Sequence, residues 1–220
     1  MKANSNFFPN SKIIPLDKFF YKVLYDKKIG YYGSQLPFGK KGDFITAPKI
    51  SNLFSEIIGI WFVSTWEKFG KPKRFNIIEL GPGDGTLIKI ITNVFSNFPE
   101  FYQSVNIFLY EKSSFLINKQ KANIRNPRVK WVRNFDKIKE GPVIFFGNEF
   151  FDAIPIKQFS RKGNNYFEKY YSLNNKDKID EVFKKANFKD VKQIKKFKVI
   201  KDLKFIEFPK LGFKELDKIT

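Results

Sequence analysis

Short apolar runs alternate with amphipathic stretches through the middle of this chain. Four of the runs are too short for helices and resemble strands that are buried in a parallel sheet. After the first run, Leu87, Ile88, Ile91 and Val94 recur at helical spacing, and a second helix is predicted around Ser114–Asn123. This alternation predicts an α/β fold with a parallel sheet. The predicted strands are residues 75–80, 105–111, 129–132 and 142–146.

Two further helices are predicted ahead of the first strand. Residues 13–29 have one apolar face and end at Gly30, and residues 52–69 begin after Ser51, a suitable N-cap. Residues 33–51 lie between these helices. We expect them to form either a loop that becomes ordered over a ligand or an ordinary surface connection. We interpret the apolar stripe of the second helix as core that packs against the sheet. Its members are Leu53, Phe54, Ile57, Ile58, Trp61, Phe62 and Trp66.

A glycine loop follows the first strand, with Gly81, Gly83 and Gly85 at alternate positions and Glu79 two residues ahead. Glycine tolerates positive φ and lets backbone N–H groups approach a ligand. Dinucleotide-binding loops instead space their glycines as G-x-G-x-x-G. The spacing here resembles the first motif of class I S-adenosylmethionine (SAM) methyltransferases. The alternative is a glycine-rich turn that binds no ligand.

Acidic side chains follow two of the other strands. Glu111 ends the second strand, where a carboxylate can accept hydrogen bonds from ribose hydroxyls. Asn148, Glu149 and Asp152 follow the fourth strand, and two carboxylates there could pair with a guanidinium and accept its proton. The alternatives are a solvated Glu111 and Glu149, with Asp152 serving only as a helix cap.

Composition narrows the chemistry. The chain has neither His nor Cys, so an imidazole base, a thiolate and a zinc site are not expected, and no metal is predicted. No signal peptide or apolar run of about 20 residues is visible, which favours a cytoplasmic location without a membrane span. The net charge is +19, but the basic residues are mostly Lys and reflect AT-rich codons, so nucleic acid is an improbable partner.

Four motifs together resemble the MidA-type family of SAM-dependent methyltransferases, which includes mitochondrial complex I assembly factors and bacterial relatives. The resemblance rests on Gly30-Tyr31-Tyr32, residues 42–51 (GDFITAPKIS), residues 79–87 (ELGPGDGTL) and residues 148–155 (NEFFDAIP).

The resemblance implies a Rossmann-like class I methyltransferase sheet with helices on both faces. It implies methyl transfer from SAM to arginine nitrogen on a protein, with a respiratory complex I subunit as the acceptor in eukaryotic members. The cofactor would contact Glu79, Gly81, Gly83, Gly85 and Glu111, together with Asp43 and Thr46 from the loop. Asn148, Glu149 and Asp152 would face the acceptor. A mitochondrial location would follow only by analogy.

The chain departs from the family pattern in two respects. Lys49 stands where an acid is usual, and family members are considerably longer, so we expect a sheet that is incomplete at its C-terminal side. The resulting domain prediction is a helical cap and active-site loop in residues 1–70, a SAM-binding core in 71–160, and a Lys-rich insertion with the start of a further part in 161–220.

Two other function classes remain open at this point. One is a non-catalytic assembly or binding protein that keeps the methyltransferase fold. The other is a nucleic-acid amino-methyltransferase, which is disfavoured because residues 148–151 (NEFF) lack the usual prolines. An uncovered fourth strand would also expose unpaired backbone groups, so we expect marginal stability and self-association.

Overall fold

The structure is a computed structural model that describes residues 5–34, 51–136, 138, 140–198, 200 and 202–219. Its α-helices are α1 (Leu16–Tyr25), α2 (Tyr31–Ser34), α3 (Asn52–Lys68), α4 (Thr86–Phe95), α5 (Pro99–Ser104), α6 (Ser114–Asn123), α7 (Phe188–Lys196) and α8 (Lys210–Leu216). Its strands are β1 (Ile13–Pro15), β2 (Phe75–Leu80), β3 (Val105–Tyr110), β4 (Val129–Val132), β5 (Val143–Phe146), β6 (Lys157–Lys162), β7 (Asn165–Leu173), β8 (Ile179–Lys185) and β9 (Phe205–Phe208). Short 3-10 helices span Ser5–Phe7 and Phe151–Ala153.

The chain divides into two compact units. Residues 31–150 and Ile219 form the parallel-sheet unit, and residues 1–30 and 151–218 form the antiparallel-sheet unit. The chain passes from one unit to the other after residues 30 and 150. The domain organisation predicted from the sequence, with segments 1–70, 71–160 and 161–220, stays a prediction.

The parallel sheet has the strand order β4-β3-β2-β5, and every neighbouring pair runs parallel. All six residues of β2 are buried, as its apolar run predicts for a strand with neighbours on both sides and cover on both faces. The sequence-based prediction of an α/β fold with four parallel strands is confirmed. Because β2 is central, the loop that follows it lies at the middle of the sheet edge, between the ends of β3 and β5.

The two faces of this sheet have separate cores. One contains Ile77 and Ile107 with residues of α3 and α4, and the other contains Ile78, Leu80 and Tyr110. Neighbouring residues of β2 thus point to opposite faces, which is the two-residue period of a strand. Helix α3 approaches α4 closely at Gly59, where an added Cβ would stand 3.0 Å from Cβ of Val94.

That close approach overturns part of our interpretation of the α3 stripe. The helix begins after Ser51, whose Oγ accepts a hydrogen bond from the Leu53 N–H, as predicted. Its buried residues, however, are Ser55, Gly59, Phe62, Val63 and Trp66. Leu53, Ile57 and Trp61 are more than half exposed. Gly59 allows the two helix backbones to approach, and this contact decided that the face with Gly59 is buried while Leu53, Ile57 and Trp61 point outward.

The predicted helix over residues 13–29 is also wrong at both ends. Residues 13–15 form strand β1, which pairs antiparallel with β7, and α1 spans Leu16–Tyr25 only. Pro15 lacks an N–H and fixes φ, so it is suited to the end of a strand directly ahead of a helix. The pairing partner lies more than 150 residues further along the chain, and no local pattern indicates it.

The antiparallel sheet is built mainly from the lysine-dense C-terminal part. Strand β7 pairs with β6, β8 and β1, and β6 also pairs with β9. The prediction of a strand near residues 167–173 is confirmed by β7, and helix α8 lies close to the helix start predicted near residue 214. One buried core of this sheet consists of Phe159, Tyr166, Ile194, Ile206 and Phe208, and a smaller one of Phe8, Ile14 and Leu173.

Candidate functional site

The glycine loop joins the carboxyl end of β2 to the start of α4. Gly81, Gly83 and Gly85 have φ angles of 62°, 58° and 81°, in the left-handed region that side chains with a Cβ avoid. The Gly81 N–H donates to the carbonyl of Tyr110 (3.0 Å), which ties the loop to the end of β3. The three alternating glycines thus allow the loop to adopt positive φ angles.

Two of these glycines are also packed too tightly for a side chain. An added Cβ on Gly81 would stand 2.7 Å from Cδ2 of Phe150, and one on Gly85 would stand 2.6 Å from Cδ1 of Ile124. Phe150 belongs to the segment after β5 and Ile124 follows α6. Within the parallel-sheet unit, the glycine loop is therefore packed against the segment that carries Asn148 and Glu149 and against the C-terminal end of α6.

Helix α4 begins directly after this loop with Gly85 as its N-cap, and the Asp84 side chain is hydrogen-bonded to the first helical residue, Thr86. Asp84 Oδ1 accepts hydrogen bonds from the Thr86 backbone N–H (3.1 Å) and from the Thr86 hydroxyl (2.7 Å). The N-terminus of α4 carries the positive end of the helix dipole, which favours a negatively charged ligand group near the loop.

Glu79 lies on β2, two residues ahead of Gly81, and is 2% exposed. Burial raises its pKa to about 8, and the negative charge of Asp84 adds to the effect. Among the residues that the structure describes, Glu79 Oε2 has no hydrogen-bond partner. A buried carboxylate oxygen without a partner costs stability unless a donor or a cation occupies the space beside it. Glu79 is thus suited to a ligand ammonium group.

Glu111 follows β3 and is held by its own turn. Its Oε1 accepts hydrogen bonds from the backbone N–H groups of Lys112 (2.7 Å) and Ser113 (2.8 Å). Its Oε2 accepts one from Gln120 Nε2 (3.3 Å). Burial raises the pKa of Glu111, although these hydrogen bonds and the Lys112 charge oppose that effect. The carboxylate is therefore fixed in place at the carboxyl edge of the sheet.

Sequence reasoning missed Gln120. This side chain is fully buried on α6 and also donates to the Gly83 carbonyl (2.8 Å), so it contacts both the glycine loop and Glu111. Its Oε1 accepts a hydrogen bond from the Trp131 indole (2.8 Å). The available signal was its position four residues after the buried Leu116, which places a polar side chain on the inner face of the helix.

The predicted acceptor residues fall in two places. Asn148 and Glu149 follow β5 in the parallel-sheet unit, and Glu149 has a φ of 57°, uncommon for a residue with a Cβ. Tyr32 has its pKa raised by burial and, secondarily, by the charge of Glu149, which places the two side chains near each other. Asp152 lies in the 3-10 helix of the antiparallel-sheet unit. Asp43 and Thr46 lie outside the described residues.

A family model described as "Putative S-adenosyl-L-methionine-dependent methyltransferase" matches residues 57–210, which include the whole parallel sheet. The chain belongs to this family. The resemblance to MidA-type methyltransferases, stated above from four motifs, is thereby confirmed. The matched region of this family member includes the glycine loop and the acidic residues that follow β3 and β5.

Curated relatives of this methyltransferase family member include two animal proteins. A Caenorhabditis elegans protein named "Protein arginine methyltransferase NDUFAF7 homolog, mitochondrial" is 34% identical over 169 residues, 66% of this chain and 39% of the relative. The Mus musculus "Protein arginine methyltransferase NDUFAF7, mitochondrial" is 32% identical over 184 residues, 73% of this chain and 42% of the relative. The chain thus spans about two fifths of the length of these relatives.

Solved structures agree on the fold. A Burkholderia thailandensis protein, whose crystal structure holds S-adenosyl-homocysteine, aligns with a TM-score of 0.67 at 22% identity over 84% of this chain and 49% of that protein. A native crystal structure of a protein from the same organism aligns with a TM-score of 0.62. The fold class predicted for this methyltransferase family member, a Rossmann-like class I sheet, is confirmed. Among its described helices none is long and apolar enough to cross a membrane.

Proposed function

We propose that this chain binds SAM and transfers its methyl group to an arginine nitrogen of a protein. One observation supports cofactor binding above all others. Glu79 has a fully buried carboxyl oxygen with no hydrogen-bond partner in the described part of the chain, and it stands two residues ahead of a loop whose three glycines all have positive φ. SAM has an ammonium group that would be a partner for that oxygen, and it has no phosphate that would require a G-x-G-x-x-G loop.

The residues present fit the amino group, the carboxylate and the ribose of this cofactor. Glu79 would hold the amino group, and the glycine loop with the N-terminus of α4 would hold the carboxylate. Glu111 would accept a hydrogen bond from the ribose. When bound, SAM supplies an electrophilic methyl group on its sulfonium. A role for Asp43 and Thr46 in closing over the cofactor is part of the same proposal.

Glu149 is the residue that we propose for acceptor binding, together with Asn148 and Asp152. Glu149 is exposed and lies two residues before Phe151, at the carboxyl end of β5. A carboxylate pairs with a guanidinium in a bidentate manner and can accept the proton that the attacking nitrogen loses. The left-handed backbone of Glu149 supports this role, because such strain persists mainly where function requires it.

The relatives named as arginine methyltransferases suggest the acceptor class. We propose that the methyl acceptor is an arginine-containing protein that resembles a subunit of respiratory complex I. The absence of cysteine from the chain suits the reducing cytoplasm of a bacterium, and we propose that location.

Calorimetric titration with SAM, S-adenosylhomocysteine and NADH tests cofactor binding. We expect heat from the first two ligands and none from NADH. Gly83→Val should abolish binding because valine at positive φ would displace the loop, and Glu111→Ala should weaken it by about 1.5–3 kcal/mol. Unchanged SAM affinity in both variants would show that the site is elsewhere.

Methyl transfer to an arginine-rich protein tests the acceptor residues separately. Glu149→Gln and Asp152→Asn should abolish transfer and leave SAM affinity nearly unchanged. Asp177→Asn is a matched control, because Asp177 is also an acid at positive φ (54°) and belongs to a turn far along the chain. Cofactor binding without transfer in the parent chain would instead support a non-catalytic member of the family.

A further inference from the structure

The segment Gly147–Phe150 follows β5 and folds back onto the end of β2, within the parallel-sheet unit. The contact begins at Gly147, where an added Cβ would stand 2.9 Å from the carbonyl oxygen of Leu80. It ends at Phe150, whose Cδ2 lies 2.7 Å from the position of a Cβ added to Gly81. A side chain at position 81 or 147 would therefore hold this segment away from β2.

The ring of Phe150 fastens the segment to two strand ends at once. Its centroid lies 6.3 Å from that of the buried Tyr110 ring, at an interplanar angle of 65°, which is a favourable edge-to-face arrangement. The carbonyl of Tyr110 accepts a hydrogen bond from the Gly81 N–H (3.0 Å). The ring thus rests on the first glycine of the loop and on the end of β3.

Glu149 lies between these two contacts and has a left-handed backbone, with a φ of 57°. A residue with a Cβ avoids this conformation unless its neighbours hold it there. Here Gly147 and Phe150 are both packed onto the end of β2, so the backbone between them has to reverse its direction. The side chain of Glu149 stays exposed, while that of Phe150 is partly buried.

We propose that Phe150 is a positioning residue: its ring, seated on Gly81, keeps Glu149 in the left-handed conformation and so fixes the Glu149 carboxylate relative to the glycine loop. The inference rests on the proposed function and adds to it a residue that acts on methyl transfer through Glu149. Without the ring, Glu149 relaxes to an ordinary backbone conformation and its carboxylate moves. The cofactor still binds, because Glu79 and Glu111 stay in place.

Thermal unfolding tests the conformational part of this proposal without any ligand. Glu149→Gly relieves strain in the parent chain, which offsets the entropy that glycine adds to the unfolded state. In the Phe150→Ala background no strain is left to relieve, so only the entropy remains. We therefore expect Glu149→Gly to lower the Tm by about 2–4 °C more in that background than in the parent. Equal shifts in both backgrounds would overturn the proposal.

Methyl transfer to protamine, an arginine-rich protein, tests the functional part. We expect Phe150→Ala to lower kcat about tenfold or more, as for a misplaced catalytic group, and to leave the Kd of S-adenosylhomocysteine within about twofold. Damage to the glycine loop would instead weaken the ligand and slow transfer together. Phe150→Tyr keeps the ring, so we expect it to transfer like the parent.

Two outcomes separate this inference from the proposed function. Transfer by Phe150→Ala at the parent's rate, or a loss of ligand affinity in proportion to kcat, would overturn the role of Phe150 and leave the proposed function standing. A parent chain that transfers no methyl group would overturn the proposed function, and the role of Phe150 in transfer with it.

Two further variants complete the experiment. Phe188→Ala makes the same change at a side chain of α7 that is 79% exposed, and it should leave kcat and the effect of Glu149→Gly as in the parent. If Phe150→Ala does not fold, Phe150→Leu decides the question, because leucine fills part of the space but has no ring to rest on Gly81. Parent-like kcat and parent-like Tm shifts in Phe150→Leu would then overturn the proposal.

Discussion

At the scale of single residues, the ionised carboxylate of Glu79 destabilises the folded state because it is buried. The unfolded pKa of this carboxyl is 4.5 and the folded pKa is about 8. Between these values the folded state binds a proton that the unfolded state has released, so the free energy of unfolding falls as the pH rises from 4.5 to 8. A bound ammonium group would offset the cost by pairing with the ionised form.

Replacing Glu79 should therefore separate stability from binding. We expect Glu79→Gln to raise the free energy of unfolding of the ligand-free chain at pH 8 by about 1–3 kcal/mol, because no charge is then buried without a partner. At pH 5 the difference should be small. The same variant should bind SAM more weakly. Denaturant unfolding of variant and parent at the two pH values measures the first effect. A stability gain of the variant over the parent that is smaller at pH 8 than at pH 5 would contradict the prediction.

Gly81 offers a second prediction at this scale. Alanine at positive φ costs about 1–2 kcal/mol, and at Gly81 its Cβ would also collide with the Phe150 ring at 2.7 Å. Gly70 is a matched control, because its φ is 78° and a Cβ there meets nothing within 4 Å. We expect Gly81→Ala to be more destabilising than Gly70→Ala in urea unfolding. Equal losses would mean that Phe150 moves aside without cost.

At the scale of elements, a buried cluster of charged side chains connects helices and strands within the antiparallel-sheet unit. Lys157 on β6 pairs with Glu168 on β7 and Asp190 on α7, and lies 4.0 Å from Asp17 on α1. Asp190 also pairs with Lys210 of α8. The three carboxylates are each less than 5% exposed. One lysine thus connects four elements, none of which is next to another along the chain except β6 and β7.

Removal of that lysine should unfold much of this unit. Lys157→Met leaves the three carboxylates without their shared cation, which we expect to cost about 3–5 kcal/mol. Lys71→Met is the control, since Lys71 pairs only with exposed acids and such pairs contribute about 0–1 kcal/mol. Denaturant unfolding followed by tyrosine fluorescence compares them. Similar small losses in both variants would show that the cluster is dispensable.

The pH dependence of the cluster follows from Asp190. Burial raises its pKa, but the hydrogen bonds from Lys210 and Asn187 and the charge of Lys157 outweigh burial, so the net pKa lies below 3.8. The pairing therefore stabilises the fold above that value and is lost as the pH falls through the lowered pKa.

At the scale of the whole molecule, the parallel sheet has two unlike edges. Strand β4 carries Lys130 at one edge, and a lysine hinders pairing with another chain. Strand β5, Val143–Phe146, is wholly apolar and pairs with β2 alone in the described sheet. The strands after β5 do not extend this sheet but form the antiparallel sheet together with β1. The predicted self-association thus has a specific candidate surface, the edge of β5 that has no strand partner among the described residues.

Sedimentation velocity tests that surface. We expect the parent chain to self-associate as its concentration rises and Val143→Lys, at an exposed position of the edge strand, to shift it toward monomer. Val182→Lys on β8, in the other sheet, is a control that should leave the association unchanged. A parent chain that stays monomeric with one sharp thermal transition would refute the prediction.

The sequence by itself determined the features that depend on neighbouring residues. Short apolar runs indicated β2, β3, β4 and β5, because a parallel strand that is covered on both faces needs apolar residues on both. The glycine spacing indicated the loop after β2, because positive φ is a property of the single residue. The positions of Glu79 and Glu111 followed from these elements.

Only the tertiary structure decided which faces meet. Leu53, Ile57 and Trp61 are apolar yet exposed, because α3 approaches α4 at Gly59 with a different face. Residues 13–15 became a strand because β7 pairs with them from across the chain. Gln120 has three hydrogen-bond partners that lie in three different segments. In each case the deciding contact joins residues that are distant in sequence, and the local spacing of Gln120 from Leu116 indicated only an inward-facing side chain, not its partners.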